Sequence, residues 1–406
     1  MIFLDQTFKT IQIACYIVGK ETDENRVYRF LLPKILASHT ESFFTKTKMN
    51  EHLEDLYGAY FKTGIERVGH YHLMHITLTI VDPDLVSDPL LLKQAIDLFK
   101  DVLNPNRTIN PSIFEEERRL YIEQHKSMVD RKRTYANYRF NQYFFKHDVY
   151  QKPLYGGLKA LRKATHETLM ETWKEIQTND TFFTVCHGML NDDDKALLSQ
   201  ALVSKGPVLN QPLFSFRKPK KEVLEVIEQT DMKQAIIKLG YILPIYRYDS
   251  LYEAAILLDT MLGGYPESEL FKVIREEKGL CYDIYSSYDS YRGVLMITSG
   301  VDRLNHQQAI DSIKEVILDM EDRIALDSLI HAKQYVIHQI KSSLDSQSSG
   351  TKRAFMRRFL GLNEEVDKRI QKILSVTETD IKDALKKLTL DTVYVLEGVP
   401  HETDTL

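Results

Sequence analysis

Apolar residues recur every three to four positions along most of this chain and every second position in a few short stretches. The first spacing predicts amphipathic helices and the second predicts strands. The helix predicted from Asp249 carries a single apolar stripe, made of Leu251, Ala254, Ala255, Leu258 and Leu262. Asp249 is a residue type that caps helix N-termini, so we expect the helix to begin there.

The predicted elements follow the same order in both halves of the chain. The first half reads as a strand at 10–18, helices at 25–37 and 46–56, and a strand at 72–81. The second half reads as a strand at 235–243, helices at 249–262 and 268–278, and strands that end at 302. Gly58 and Gly279 occupy matching places 221 residues apart, and Asp82 and Asp302 are 220 residues apart. This nearly constant offset indicates a duplicated domain.

Each half continues with helices and ends in a strand. The helices are predicted at 91–102, 111–145, 306–320, 326–344, 352–360, 364–374 and 379–387, and the last strand at 391–398. This order is typical of the α+β class, with helices packed on mixed, mainly antiparallel sheets. We predict two similar domains, residues 1–205 and 226–406, joined by a linker at 206–225 that contains three prolines.

Composition narrows the class of protein. A chain of 406 residues is long enough for two domains, and its 43% hydrophobic and 27% charged residues are typical of globular proteins. A net charge of −5 argues against nucleic acid as a partner, and the basic run at 217–221 is interpreted as solvated linker. No segment has the length and hydrophobicity of a membrane span, and the N-terminus reads as a strand, not a signal peptide. Three widely separated cysteines without C-x-x-C spacing favour the reducing cytoplasm.

The stretch at 263–282, GGYPESELFKVIREEKGLCY, has the most specific pattern in the chain. A glycine pair ends one helix, an amphipathic helix follows at 268–278, and Gly279 stands where a helix needs a left-handed residue. Arg275 lies in the last helical turn, and Tyr282 opens a tyrosine-rich strand. Taken alone, Arg275 fits a role as a complement to the helix dipole, and Tyr282 fits a role as a core aromatic.

The pattern SxLFxxIRExxGLxY in this stretch resembles the second-half signature of the insulinase and mitochondrial-processing-peptidase family of the pitrilysin clan. The spacing of seven between Arg275 and Tyr282 matches that family's substrate-gripping pair. The resemblance implies that each chain is half of a clamshell that closes with another around a chamber. It also implies that Arg275 and Tyr282 bind peptide and stabilise the oxyanion formed during its hydrolysis.

Active members of this family hold zinc on an H-x-x-E-H helix, with a distant glutamate as third ligand. Two histidines four residues apart share a helix face, and the glutamate takes the proton from zinc-bound water. None of the 13 histidines here lies four residues from another. The matching helix offers Leu32, Lys34, Ile35 and Leu36 instead. We therefore predict no metal in this chain.

Other candidate metal ligands are weaker. His70, His72 and His75 are close in sequence, but we interpret them as the polar start of a strand on a solvated edge. Glu116 and Glu123 lie in a region that resembles the source of the family's distant glutamate. We read the surrounding run at 115–119 as a solvated, salt-bridged helix face.

The sequence contains no G-x-S-x-G, no phosphate-binding P-loop and no glycine-rich dinucleotide turn after a strand. The main hypothesis is a non-catalytic subunit that pairs with a zinc-bearing homologue in a heterodimer, or with a second copy in a homodimer. It would supply Arg275 and Tyr282 in trans, and the zinc would belong to the partner. The alternatives are a stand-alone metallopeptidase built on His70, His72 and His75, and a peptide-binding scaffold protein.

Overall fold

The structure, a computed structural model, describes residues 1–5, 8–202, 204–206, 213–214, 216–362 and 365–399. Within these ranges, ten strands form two five-stranded sheets. The strands of the first sheet are β1 (Ile2–Leu4), β2 (Thr10–Lys20), β3 (Tyr60–Val68), β4 (Tyr71–Val81) and β5 (Thr181–His187). Those of the second are β6 (Leu224–Thr230), β7 (Gln234–Ile242), β8 (Cys281–Asp289), β9 (Val294–Asp302) and β10 (Thr389–Gly398).

The two sheets have the same topology. The first has the strand order β1-β5-β2-β4-β3 and the second the order β6-β10-β7-β9-β8. In each, the outer pair is parallel, β1 with β5 and β6 with β10, and the other neighbours are antiparallel. The prediction of two similar α+β domains with mixed, mainly antiparallel sheets is confirmed.

The four landmarks of the repeat adopt matching conformations. Gly58 and Gly279 both have left-handed backbones, with φ of 75° and 62°, where the preceding helix stops. Asp82 and Asp302 both accept a hydrogen bond on the side chain from the backbone N–H two residues on, at 3.1 and 3.0 Å. These local roles explain why the same residue types stand at both places.

Fifteen α-helices surround the sheets in the described ranges. Those before the second sheet are α1 (Arg26–Ala37), α2 (Lys46–Asp55), α3 (Pro83–Val86), α4 (Leu91–Val102), α5 (Pro111–Lys126), α6 (Lys132–Phe144), α7 (Leu158–Lys163), α8 (His166–Asn179) and α9 (Asp192–Ala201). Those after its first two strands are α10 (Tyr252–Asp259), α11 (His306–Asp322), α12 (Leu326–Ser342), α13 (Gln347–Leu360), α14 (Val366–Ser375) and α15 (Glu378–Leu385). Two π-helical segments, Thr260–Gly264 and Phe271–Glu277, lie between α10 and β8.

The structure corrects the predicted elements in several places. The single helix predicted at 111–145 is broken by a 3₁₀ turn, Ser127–Val129, into α5 and α6. Strands β3 and β6 were not predicted, and β6 begins inside the predicted linker. Asp249 does not cap α10, because the helix begins at Tyr252 and the Asp249 carboxylate accepts from the Tyr246 N–H at 2.8 Å.

The chain forms two compact units, each built on one sheet. The first consists of Met1–Ser127, Lys152–Pro212 and Ser342–Asn363, and the second of Met128–Gln151, Leu213–Lys341 and Glu364–Leu406. Each unit thus includes one helical segment from the other half of the sequence. The domain boundaries at 205 and 226 stay predictions, and residues 207–212 and 215 of the predicted linker lie outside the described residues.

In the first unit, helices cover both faces of the sheet. Helices α1 and α4 pack against β4 to form the main core, and α13 lies against β1, β2 and β5 on the other side. The Phe355 ring of α13 stacks on Tyr16 at 4.2 Å, and the Gln347 amide donates to the carbonyls of Thr10 and His187. These contacts anchor α13 to both β2 and β5.

The second unit is layered in the same way. One face of its sheet packs against α10, α11 and α15, whose apolar side chains form a continuous core with β7, β9 and β10. Helix α6 covers the other face, with Phe140 and Phe144 packed beside Gly240, where a Cβ would lie 2.7 Å from both rings. No helix in the described parts of the chain is long and apolar enough to cross a membrane.

Candidate functional site

The predicted corner between helix and strand is present in the second unit. The helix stops at Gly279, whose left-handed backbone allows the Leu280 N–H to bond to the Ile274 carbonyl at 2.9 Å. The helix is π-helical, not α-helical as predicted, and the Lys278 N–H bonds five residues back to Val273 at 3.0 Å. Such wide turns are rare and are found frequently at functional sites.

Close packing fixes the other side of this corner. Gly263 lies so near strand β8 that a Cβ there would be 2.6 Å from the Ser286 backbone nitrogen. The Ser286 hydroxyl donates to the Asp259 carboxylate at 2.6 Å. Burial raises the pKa of Asp259, and the hydrogen bond from Ser286 partly opposes that change. The helix that precedes the corner is therefore joined tightly to the strand that carries Tyr282.

The Arg275 side chain is exposed at the end of the π-helix. Its guanidinium stacks over the Phe271 ring, 4.7 Å from the ring centroid. Among the described residues it makes no hydrogen bond and no ion pair. An arginine held on an aromatic ring keeps its planar set of donors free for a ligand.

Tyr282 is the extra residue of a β-bulge. Cys281 pairs with Val301 and Asp283 pairs with Gly300, so Tyr282 has no partner in the ladder. The extra residue lets both Cys281 and Ile284 face the core while Tyr282 stays 59% exposed. The interpretation of Tyr282 as a core aromatic is therefore wrong, and its hydroxyl has no hydrogen-bond partner in the described part of the chain.

The structure brings the helix end and the strand start together. Strand β8 packs against the π-helix that carries Arg275. Burial raises the pKa of the Cys281 thiol, while the nearby Arg275 guanidinium acts in the opposite direction. Arg275 and Tyr282 are thus both exposed on two elements that pack together, the π-helix and the start of β8.

The helix that matches the zinc helix of the family is α1, and it is built as core. Leu32, Ile35 and Leu36 are at most 1% exposed. Lys34 points outward and approaches Glu117 of α5, with its Nζ 2.7 Å from Oε2. Lys46 of α2 donates to the other carboxylate oxygen of Glu117 at 2.7 Å. A buried carboxylate thus joins three helices through two lysines.

Sequence reasoning singled out Glu116 and missed Glu117. Glu116 has a side chain that is 45% exposed, whereas that of Glu117 is 1% exposed. The signal was available, because Ile113, Phe114, Glu117 and Tyr121 follow the helical spacing of the buried stripe of α5. The interpretation of 115–119 as fully solvated is wrong at Glu117, although Arg118 and Glu115 do form the expected pair.

This arrangement does not fit a zinc ion. Lys34 and Lys46 bring two ammonium groups to the only deeply buried carboxylate between α1 and α5 in the described ranges, where a cation would be repelled. No group of three or more histidine, cysteine, aspartate or glutamate side chains in those ranges is placed to hold a metal.

The three clustered histidines do not converge. His70 lies in the turn before β4, and His72 and His75 point to opposite faces of that strand. Strand β4 is internal and His72 is fully buried, so the prediction of a solvated edge is wrong. Burial lowers the pKa of His72, and three nearby arginines, Arg26, Arg29 and Arg67, act in the same direction. These arginines also oppose a cation at His72.

Comparisons with known proteins indicate a similarity to inactive metallopeptidases. The sequence profile of the peptidase M16 inactive domain matches residues 163–336. A protein of Bacillus subtilis strain 168, described as probable inactive metalloprotease YmfF, is 25% identical over 400 residues, 97% of this chain and 94% of that protein. The match thus extends from end to end.

Solved structures share the fold. A conserved protein from Enterococcus faecalis V583 superposes with a TM-score of 0.91 at 23% identity, over 98% of this chain and 96% of that one. A peptidase M16 inactive domain from Pseudomonas fluorescens gives a TM-score of 0.79 at 17% identity, over 98% and 95% of the two chains. The inactive-domain profile and the relative that matches over nearly the whole chain agree with the absence of the H-x-x-E-H motif, so this chain is similar to those members of the insulinase-like M16 peptidase family that lack the zinc motif.

Proposed function

We propose that this protein is a non-catalytic subunit that pairs with a zinc-bearing homologue and contributes Arg275 and Tyr282 to peptide hydrolysis. The observation that carries the proposal is that both side chains face solvent at a closely packed corner and have no hydrogen-bond or ion-pair partner among the described residues. An exposed arginine and tyrosine held in place but unused by the fold are available for a ligand.

The chemistry of the two groups suits this role. The planar guanidinium of Arg275 offers paired N–H donors to a peptide carbonyl, and its stacking on Phe271 limits its motion. The Tyr282 hydroxyl can donate to the oxyanion that forms when water attacks that carbonyl. Neither task needs a metal in the same chain, so the zinc and the attacking water belong to the partner.

The two lysines paired with Glu117 favour a non-catalytic subunit over an independent metallopeptidase. Helix α1, which occupies the place of the family's zinc helix, packs its apolar side chains in the core, and its Lys34 forms an ion pair with Glu117. The relative from Bacillus subtilis is also described as probably inactive. We further propose a cytoplasmic location, because Cys15, Cys186 and Cys281 are all unpaired and buried.

The test begins with purification of the complex from the source organism through a tag on this chain. We expect a homologue with an intact H-x-x-E-H motif to co-purify, to be nearly inactive alone and to cleave unfolded peptides when mixed with this chain. A complex that contains only this chain and cleaves peptide with one zinc per chain would support the stand-alone peptidase. Peptide binding without any hydrolysis would support the scaffold.

Two conservative substitutions then test the residues. Tyr282→Phe removes only a hydroxyl and Arg275→Lys keeps the charge, yet each should lower the rate of peptide hydrolysis by about 10²–10³ with little effect on complex formation. Tyr57→Phe and Arg323→Lys change exposed residues of the same types elsewhere and should leave the rate unchanged. Full activity of both test variants in an intact complex would refute the assigned roles.

A further inference from the structure

Lys238 is a buried lysine without a carboxylate partner. It lies on β7, the central strand of the second sheet, and is 5% exposed. Its Nζ donates to the Asn137 side chain at 2.5 Å and to the Thr298 hydroxyl at 2.8 Å. No aspartate or glutamate in the described ranges forms an ion pair with it. Buried charges are normally paired, so this ammonium group calls for an explanation.

The hydrogen-bonding capacity of Lys238 is not exhausted. An ammonium group has three donors, and the described residues accept hydrogen bonds from two of them, while the Phe140 ring lies 5.2 Å from Nζ as a weaker cation–π partner. Burial lowers the pKa of Lys238 to about 8, and the nearby Arg133 guanidinium acts in the same direction. An anion beside Nζ would oppose both effects and raise the pKa of Lys238, because it would supply a negative charge and a third hydrogen-bond acceptor.

The ammonium group lies just below the surface. Lys238 is opposite Thr298, and Thr298 is opposite Tyr285 on the edge strand β8, so the three residues form a row across the sheet. Tyr285 is 40% exposed, and Asn137 of α6 is also exposed. A small anionic group could therefore reach Nζ after a movement of the Asn137 side chain, without opening the core.

The surrounding charges favour a single negative charge. Arg133, one turn before Asn137 on α6, is half-exposed and donates to the Asp283 carboxylate at 2.5 Å. Two cations and one carboxylate leave a net charge of about +1 in this cluster. A carboxylate balances that charge, whereas a dianionic phosphate would face Asp283 with excess negative charge.

We propose that Lys238, Thr298 and Arg133 form a binding site for a carboxylate group of the peptide, next to the bulge that presents Tyr282. The identity of the ligand as a peptide rests on the proposed function. The carboxylate comes from the C-terminus of the peptide or from an acidic side chain. In either case the site selects which peptides lie with a scissile bond near Tyr282.

The experiment measures binding of synthetic peptides to the isolated chain by calorimetry. One ten-residue peptide carries a free C-terminus and no acidic side chain, a second is its C-terminal amide, and a third is the amide with one internal glutamate. We expect the free acid or the glutamate peptide to bind at least about tenfold more tightly than the neutral amide, as a charge-assisted hydrogen bond would provide. Which of the two binds identifies the source of the carboxylate.

Matched variants link that preference to the site. Lys238→Met should abolish the preference, whereas Lys233→Met, which removes an exposed lysine and changes net charge equally, should retain it. Arg133→Gln acts at a half-exposed position and should reduce the preference several-fold even if Lys238→Met fails to fold. Equal affinity for all three peptides, or a preference that survives both Lys238→Met and Arg133→Gln, would overturn the inference. Because binding is measured without a zinc-bearing partner, this result is independent of the outcome for Arg275 and Tyr282.

Discussion

The Glu117 cluster gives a prediction that can be worked out from the structure. Glu117 is 1% exposed at its side chain, while Lys34 and Lys46, which pair with it, are 49% and 34% exposed. When one lysine is removed, the other still neutralises the carboxylate. Lys34→Met and Lys46→Met should therefore each lower the free energy of unfolding by about 1 kcal/mol. Removal of both leaves an uncompensated buried carboxylate, which typically costs about 3–5 kcal/mol.

The value expected for the double variant lies near the lower end of that range. Both lysines are partly exposed, so water already weakens their attraction to Glu117. Glu117→Gln should cost about 1 kcal/mol, because the lysines can turn to solvent. In a Glu117→Gln background the two lysine substitutions should together cost only a few tenths of a kcal/mol, since no buried charge remains. The coupling between Glu117 and the lysine pair, which is the difference between these two values, is then about 2.5–3 kcal/mol.

Urea unfolding followed by circular dichroism measures these differences, with equal m-values as the condition for comparison. Lys48→Met, at an exposed position on the same helix as Lys46, is the control and should be nearly neutral. Additive effects, with a coupling below about 0.5 kcal/mol, would show that the lysines do not neutralise Glu117. The two lysines would then not explain why a cation is disfavoured at Glu117.

Two further predictions concern the second unit. Gly279→Ala should lower the free energy of unfolding by about 1 kcal/mol, because a left-handed residue with open space around it bears only backbone strain. Gly263→Ala should lower the free energy of unfolding by more than about 2 kcal/mol, because its Cβ would clash with the Ser286 backbone. Equal losses for the two variants in urea unfolding would show that the close packing of Gly263 on β8 does not contribute to stability. The pKa of Lys238 falls from 10.5 to about 8 on folding, so the folded state binds fewer protons than the unfolded state between these values. The stability of the wild type relative to Lys238→Met should therefore rise with pH across that window, by up to about 3 kcal/mol, and a difference that stays flat with pH would exclude the lowered pKa.

Local patterns in the sequence determined much of this protein. The spacing of apolar residues defined α4 at Leu91–Val102 as predicted, because a helix with one buried face repeats at 3.6 residues whatever it packs against. Gly279 was predicted as a left-handed stop, because that conformation depends on the residue itself. The absence of paired histidines is likewise a property of the sequence alone, and it distinguishes this chain from the zinc-bearing members of the family that it resembles.

Only the tertiary structure decided which polar residues are buried and what they meet. The edge strand β3 was missed because it is largely half-exposed and lacks a clean alternation of apolar and polar residues. The burial of Glu117 depends on Lys46, 71 residues away, and that of Lys238 on Asn137, 101 residues away. Helices α6 and α13 each complete a sheet drawn mainly from the other half of the chain. Such contacts join segments that are distant in sequence, so the local spacing of apolar residues does not predict them.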